Sequence, residues 1–489
     1  MSADARALPP WAASLLLLAI AVGLRAADFG NPIIHVDEQY YLLTGQRMLD
    51  GALPYIDIWD RKPVGLFLLY AGAAALPGDD VLGYQLVATL FAGLTACMVA
   101  SGARTLGASR SGAFAAGVAY LIWLPLLGGR GGQAPVFYNL FLAFAARLIL
   151  RLPTLAERRA TGAILINGLL ACLAAGLAIQ VKTTAAFEAA FLGLAHLYWL
   201  ARTRVGVATL VGAALLWLAV GLAPTAGVIV AYRSMGAAAF DAWWFANVQS
   251  IFLRPGYPPG EIAMRLLGIV AQLSPLLLCA AIAWRRRKVR LIGERALAFA
   301  WLGSAVVGFV AIGTFFDHYA LPLLPPLTMI AGIALGRIPR VLVGTLLLGL
   351  LLLIVERTFI ADDAAGARRV AQVVAQNSRG GCPYVFIGDT ATYSLSGACL
   401  PTSRAFPNFL AYTTEADASG IDEVAEMRRI LRTRPPVIVA STRKLAIWNP
   451  QTVAVLQPAL AADYRPILSV PRTNYRTVVF LRRDLPVIR

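Results

Sequence analysis

The chain has 489 residues, of which 58% are hydrophobic and only 14% charged, and a mean hydropathy of +0.68. These values exclude both an ordinary water-soluble enzyme and a disordered chain, and the charges fall in short clusters between long apolar stretches, as in a polytopic membrane protein. The net charge of +17 does not point to nucleic acid, because most of the excess lies in short loops beside apolar runs, the distribution of cytoplasmic loops of a membrane protein.

Runs long enough to cross a hydrocarbon core of about 30 Å occur at 11–27, 81–103, 111–127, 135–150, 162–180, 183–200, 205–231, 262–284, 295–314, 319–336 and 340–356. The expectation is therefore about eleven transmembrane helices. The first run has the length of a secretory signal, but no small-residue cleavage site follows it, and it is read as a helix. The apolar stretch 64–76, bounded by Pro63 and by Pro77-Gly78, is short for a span and reads as interfacial or re-entrant. Arg104 and Arg110, then Arg151, Arg158 and Arg159, then Arg202 and Arg204, then Arg285, Arg286, Arg287, Lys288 and Arg290, then Arg337 and Arg340 occupy every second connection. Those loops are expected in the cytoplasm. If 64–76 does not span, the loop 28–62 lies on the opposite, periplasmic side. If it did span, that loop would be cytoplasmic.

After Glu356 the composition becomes that of a soluble domain. Helical patterns at 362–377, 421–432 and 452–462 alternate with strand-like segments at 384–388, 436–440 and 475–481, which predicts a small α/β layer. The domain division read from this is 1–356, with a first outer loop at 28–80, and 357–489. By parity the tail domain also falls on the periplasmic side. Cys97, Cys172 and Cys279 lie in apolar runs, and no cysteine pair has metal-site spacing. Cys382 and Cys399 lie in the tail, where an oxidising compartment favours a disulfide; two buried free thiols are the alternative.

The first outer loop carries His35-Val36-Asp37-Glu38-Gln39-Tyr40-Tyr41 and, further on, Pro54-Tyr55-Ile56-Asp57-Ile58-Trp59-Asp60-Arg61-Lys62-Pro63. Glycosyl transfer needs a carboxylate to take the acceptor's proton and cations to neutralise a leaving phosphate. Asp37 and Glu38 can supply the first, Arg61 and Lys62 the second. The alternative is that these charges merely solvate a loop.

The order of these motifs resembles the GT-C glycosyltransferases, particularly the branch of protein O-mannosyltransferases, lipid A aminoarabinose transferases and galacturonosyltransferases. Their first outer loop similarly carries an Asp-Glu and then a Lys-Pro entering a short hydrophobic helix, here Asp37-Glu38 and Lys62-Pro63. The resemblance continues through Gly176-Leu177-Ala178 to Lys182, through Asp317-His318-Tyr319-Ala320-Leu321-Pro322-Leu323-Leu324-Pro325-Pro326, and through Tyr393-Ser394-Leu395-Ser396-Gly397. Val64 stands where many relatives have a second proline. The resemblance implies a GT-C-like fold, mainly α and polytopic with a small C-terminal α/β domain, in a bacterial inner membrane with the active-site loop and tail periplasmic. It further implies a polyprenyl-phosphate-linked monosaccharide as donor, direct inverting displacement, Asp37 as general base and Lys62 as donor-phosphate ligand. The acceptor would be a lipid, a glycan or a protein. No metal ligand set is expected; whether a divalent cation assists stays open.

Lys182, His318 and Tyr319 are further candidates for the donor phosphate. Lys182 could instead snorkel to the interface, and Tyr319 could belong to an interfacial aromatic belt. Glu188, inside an apolar run, is either functional or paired within the bundle. Arg130 lies between glycines that would permit close approach of a ligand, and Trp243-Trp244-Phe245 reads as an interfacial anchor. Two rivals to a glycosyltransferase remain. A transporter or flippase of lipid-linked glycans would place its ionisable groups at the membrane midplane. A non-catalytic assembly partner would need neither the Asp-Glu nor the Lys-Pro.

Overall fold

The protein, known here from a computed structural model, is described over residues 9–285, 293–360 and 363–488. Arg286, Arg287, Lys288 and Arg290 of the basic loop, and Asp362 at the expected start of the tail, lie outside the described residues. Helix α1 (Pro10–Arg25) begins with proline at its first position, where a missing N–H removes no helical bond. Next come α2 (Val36–Leu49) and α3 (Val64–Ala74). With 11 residues, α3 reaches about 16 Å at 1.5 Å per residue, half of what a span needs, in line with the short-segment reading.

The chain continues through α4 (Asp80–Thr105), α5 (Arg110–Leu126), α6 (Ala134–Ile149), the short α7 (Leu152–Glu157), α8 (Thr161–Val181), α9 (Ala186–Arg202) and α10 (Val207–Ser234). It then forms α11 (Ala237–Trp244), α12 (Pro259–Arg285), α13 (Glu294–Ile312), α14 (Leu324–Leu335) and α15 (Pro339–Phe359). Among the described residues, ten helical segments are long and apolar enough to cross a membrane, from the one at Pro10–Asp28 to the one that begins at Pro339. The eleventh expected run, 111–127, forms α5, which has 17 residues with Pro125 in its last turn and falls just short of that length.

The described chain divides into two compact units. The first comprises Met1–Phe29, Gln85–Val228 and Pro258–Phe359. The most enclosed of its candidate spans is Asp317–Leu335, with 94% of its apolar window buried. There α5 and α14 cross at small residues: a Cβ on Gly112 would stand 2.4 Å from Gly336 Cα, so glycine is what lets the backbones meet. By contrast the apolar window of α10 is only 11% buried, which leaves its surface to lipid.

The second unit comprises Gly30–Tyr84, Ile229–Tyr257 and Ile360–Arg489. Its tail portion runs α16 (Ala364–Ser378), β1 (Tyr384–Val385), α17 (Ala391–Ser396), α18 (Asn408–Ala411), α19 (Glu423–Arg432), β2 (Val437–Ser441), α20 (Pro450–Asp463), β3 (Tyr464–Pro471) and β4 (Arg476–Arg482). The strands form one sheet in the order β1-β2-β4-β3. β1 runs parallel to β2, with Tyr384 opposite Ile438, and β4 is antiparallel to both its neighbours. Tyr384, Ile438, Met427, Ile430 and Leu456 form the core beneath it. Asp422 caps α19 by accepting from the Ala425 N–H at 2.8 Å, and the amphipathic α19 buries Met427 and Ile430. Cys382 and Cys399 form a disulfide with a Cα–Cα separation of 4.9 Å.

Within this unit the loop 53–63 is tied to the tail. Trp59 N–H donates to the Ser403 carbonyl at 2.9 Å, the Trp59 ring meets Phe409 edge-on at 4.8 Å, and Tyr40 stacks on Phe406 at 5.0 Å. The tail thus supplies one wall around the sequence motif.

Candidate active site

The site grows from the start of α2. His35 holds the N-cap in extended conformation, and its Nδ1 accepts the Asp37 N–H at 3.2 Å, satisfying one of the orphan donors of the first turn. The helix N-terminus then presents partial positive charge to the Asp37 carboxylate. One residue on, the helical rotation of about 100° carries Glu38 inward, where it is 0% exposed and accepts from the Tyr84 hydroxyl at 3.3 Å. Asp37 keeps 21% of its side chain exposed. The adjacent carboxylates are therefore divided: Asp37 opens outward and Glu38 is enclosed. Gln39 Oε1 in turn accepts the Ala391 N–H of the tail at 3.1 Å.

The second strand of the motif is a turn at 53–62. Tyr55 adopts a left-handed backbone, φ 73°, a sparsely occupied region for a bulky side chain. Its hydroxyl donates to the Lys62 carbonyl at 2.8 Å, which fixes the chain just before Pro63 and α3. Lys62 Nζ lies 3.8 Å from Asp60 Oδ1, with a quarter of the side chain exposed, and 5.5 Å from the centre of the Tyr41 ring. Asp60 is itself buried and accepts the Arg61 N–H at 2.6 Å. Burial raises its carboxyl above the ordinary value, against the pull of Lys62. The His35 imidazole is held below its ordinary value, first by desolvation; Asp37 pulls it up, and the positive charges of Arg443 and Lys62 hold it down. His35, Asp37, Asp60 and Lys62 are thus grouped within electrostatic reach of one another, with Arg443 from the tail beside them.

Arg61 is placed differently from Lys62. Its guanidinium pairs with Glu415, donates to the Ala418 carbonyl at 2.8 Å and lies over the Trp59 ring at 4.9 Å. Arg254 donates to the other Glu415 oxygen at 2.7 Å. This arrangement commits Arg61 to the seam between the loop and the tail.

The remaining candidates belong to the first unit. Lys182 ends α8 in an extended conformation, and its Nζ lies 4.1 Å from the centre of the Tyr319 ring. Tyr319 and His318 meet edge to face at 4.4 Å, and His318 stacks on Phe316. All three sequence candidates therefore form one aromatic and cationic cluster. Glu188 accepts from Trp301 Nε1 at 2.7 Å, a partner inside the bundle. Arg130 pairs with Asp28, which Arg357 also contacts at 2.7 Å, while Arg25 donates to the Gly129 and Gly131 carbonyls at 2.6 and 2.5 Å. The glycine-rich turn is thus pinned by the ends of α1 and α15. Among the described residues, no group of three or more His, Cys, Asp or Glu side chains is placed to hold a metal ion.

Sequence reading assigned no role to Asp60, Asp389 or Arg443. Asp389 is buried between Arg472 at 3.0 Å, itself 1% exposed, and Arg443 at 3.5 Å. The available signal was positional, since Asp389 and Arg443 each follow the end of an expected strand, where ligand sites of parallel pairs occur.

No protein-family model matches the sequence, and no curated protein sequence does. Solved structures do share its fold. The crystal structure of ArnT from Cupriavidus metallidurans bound to undecaprenyl phosphate matches with a TM-score of 0.64 and 14% identity, covering 95% of this chain and 97% of the other. The same protein in the apo state matches at 0.61 and 13% identity over the same shares. The polytopic helical body with its small C-terminal sheet is therefore the ArnT fold.

Proposed function

We propose that the chain is an integral membrane glycosyltransferase that moves a monosaccharide from a polyprenyl-phosphate donor to a hydroxyl or amine of a lipid, glycan or protein acceptor. The observation that carries this reading is the grouping of the outward Asp37 carboxylate and the Lys62 ammonium around His35 and Asp60, which both charges reach electrostatically, at the entry to a short apolar helix. The fold it shares with a protein crystallised on undecaprenyl phosphate supports the choice of donor.

In the proposed reaction the acceptor oxygen or nitrogen forms a bond to the anomeric carbon while the bond to the donor phosphate breaks, and the phosphate leaves with the electron pair. Asp37 takes the acceptor's proton, and Lys62 neutralises charge growing on the phosphate. Glu38 and Arg61 act as positioning residues, through Tyr84 and Glu415. Lys182, His318 and Tyr319, which cluster together, are further candidate contacts for a donor phosphate. The setting is the bacterial inner membrane with loop and tail in the periplasm.

Proteoliposomes loaded with a radiolabelled polyprenyl-phosphate sugar separate this reading from its main rival. A transferase cleaves the sugar from its phosphate and passes it to acceptor in the same leaflet. Movement of intact donor between leaflets without cleavage would instead mark a flippase.

A further inference from the structure

The chain between α10 and α12 carries large apolar side chains on its surface. Phe252 is 84% exposed, and Ile251, Leu253 and Trp244 are exposed near it in sequence. Connectivity gives the reason. α10 ends at Ser234 and α12 begins at Pro259, both helices are long and apolar enough to span, and α11 between them is too short to cross. The segment therefore leaves and re-enters the membrane on one face. The turn Ser250–Leu253 comes shortly before that re-entry, at the depth where apolar and aromatic side chains meet the headgroup layer.

The tail is fastened to this segment. Arg254 donates to Glu415 at 2.7 Å, and a Cβ on Gly420 would stand 2.6 Å from the Phe245 ring, so the chain around 415–420 lies directly against it. The turn Thr413–Glu415 also holds the loop that follows β2: the Thr413 N–H donates to the Ile447 carbonyl at 2.9 Å, and Tyr412 pairs with Trp448. That loop repeats the surface chemistry of the first. Ile447 is 73% exposed and Leu445 is half exposed. Lys444 is exposed too, with its Nζ 5.5 Å from the centre of the Trp448 ring. Two apolar edges thus adjoin one short turn, and grouped apolar side chains of this kind mark a surface that something covers. An ammonium beside an amphipathic ring suits headgroup depth, since the lysine stem can lie along apolar surface with its charge at the phosphates.

We propose that Leu445 and Ile447 insert into the same lipid leaflet as Phe252, with Lys444 at the phospholipid phosphates, so that the tail rests on the membrane surface instead of standing free in water. Phospholipid is the occupant because the edge continues into the segment that enters α12, which headgroups already surround. The inference does not depend on the glycosyltransferase reading.

The test uses the full chain, one copy per nanodisc of phosphatidylethanolamine and phosphatidylglycerol. The free cysteines Cys97, Cys172 and Cys279 are replaced by alanine, and a single introduced cysteine carries an environment-sensitive fluorophore. Labels at Ile447→Cys, Leu445→Cys and Phe252→Cys should each lose about half or more of their emission to lipid spin-labelled near the headgroup, and should be shielded from aqueous iodide, the pattern of side chains sunk to interfacial depth. Val487→Cys should show the reverse: Val487 is an exposed apolar residue that follows the end of β4 paired with the start of β2, at the opposite edge of the sheet from Lys444. Because Leu445 and Ile447 are both exposed, each serves as a check should the other variant fold poorly. Iodide quenching without lipid quenching at both tail positions, whatever Phe252 shows, overturns the proposal. Shielding of both from iodide and from spin-labelled lipid assigns the edge to a protein partner and overturns it as well.

Discussion

At the scale of residues, the division between Asp37 and Glu38 makes the sharpest demand. Asp37→Asn keeps size and helix position but cannot take a proton, so turnover should fall by about 10²–10⁴ in a protein that still inserts and melts normally. Lys62→Ala removes a charged contact worth about 1.5–3 kcal/mol, and the half-saturating donor concentration should rise by roughly ten- to a hundredfold; an unchanged donor dependence would remove Lys62 from the phosphate site. His35 adds a pH signature. Its folded value lies below 6.5 because burial disfavours the imidazolium, so the unfolded chain binds the proton more readily. The stability it contributes is complete above pH 6.5 and is lost as pH falls through the lower folded value. His35→Asn, which caps a helix without titrating, should flatten that acid loss in thermal melts. Residue types and order sufficed to name Asp37 and Lys62 as candidates. The commitment of Arg61 to Glu415 could not, because its partner lies far along the chain, in another element.

At the scale of elements, α2 and α3 pack through Gly45, where a Cβ would stand 2.6 Å from Ala71 N. Backbone cannot yield as a flexible side chain can, so Gly45→Val should destabilise by about 1–3 kcal/mol and lower activity with it, read as a fall in melting temperature. The Cys382–Cys399 bridge spans 17 residues and should add about 3 kcal/mol by the chain-entropy relation. Mass mapping without reductant should find both sulfurs blocked; two alkylatable thiols there would contradict the bridge. Of the tail helices, α16, α19 and α20 were legible from their apolar periodicity, α19 above all, and so were strands β2 and β4, whereas the short α17 and α18 were not. β3 was not. It is an edge strand with partly exposed residues along much of its length and prolines at 466 and 471, tolerated there because an edge leaves one row of N–H groups unpaired.

At the scale of the whole molecule, apolar run length sufficed to read the helical body, and the one shortfall, α5, lies at the lower limit of a span. Side-to-side orientation rests on the arginine loops and on α3 being too short to cross. Single-cysteine labelling from outside should reach positions in 28–62 and in the tail, and should miss the loop at Arg337 and Arg340. The reverse pattern would place the carboxylates on the wrong side for a periplasmic reaction. What no reading of apolar runs could supply is the wall that the tail builds around the loop, since contacts such as Trp59 with Phe409 join residues hundreds of positions apart.

The central claim is that Asp37 drives breakage of a sugar–phosphate bond, and single-turnover cleavage of a radiolabelled polyprenyl-phosphate sugar by purified protein, with an envelope extract as acceptor, tests it most directly. The unaltered protein should release polyprenyl phosphate and transfer label to acceptor, while Asp37→Asn binds the same donor and leaves it at least about a hundredfold less cleaved. Equal cleavage by the two proteins, or intact donor with both, would contradict the account.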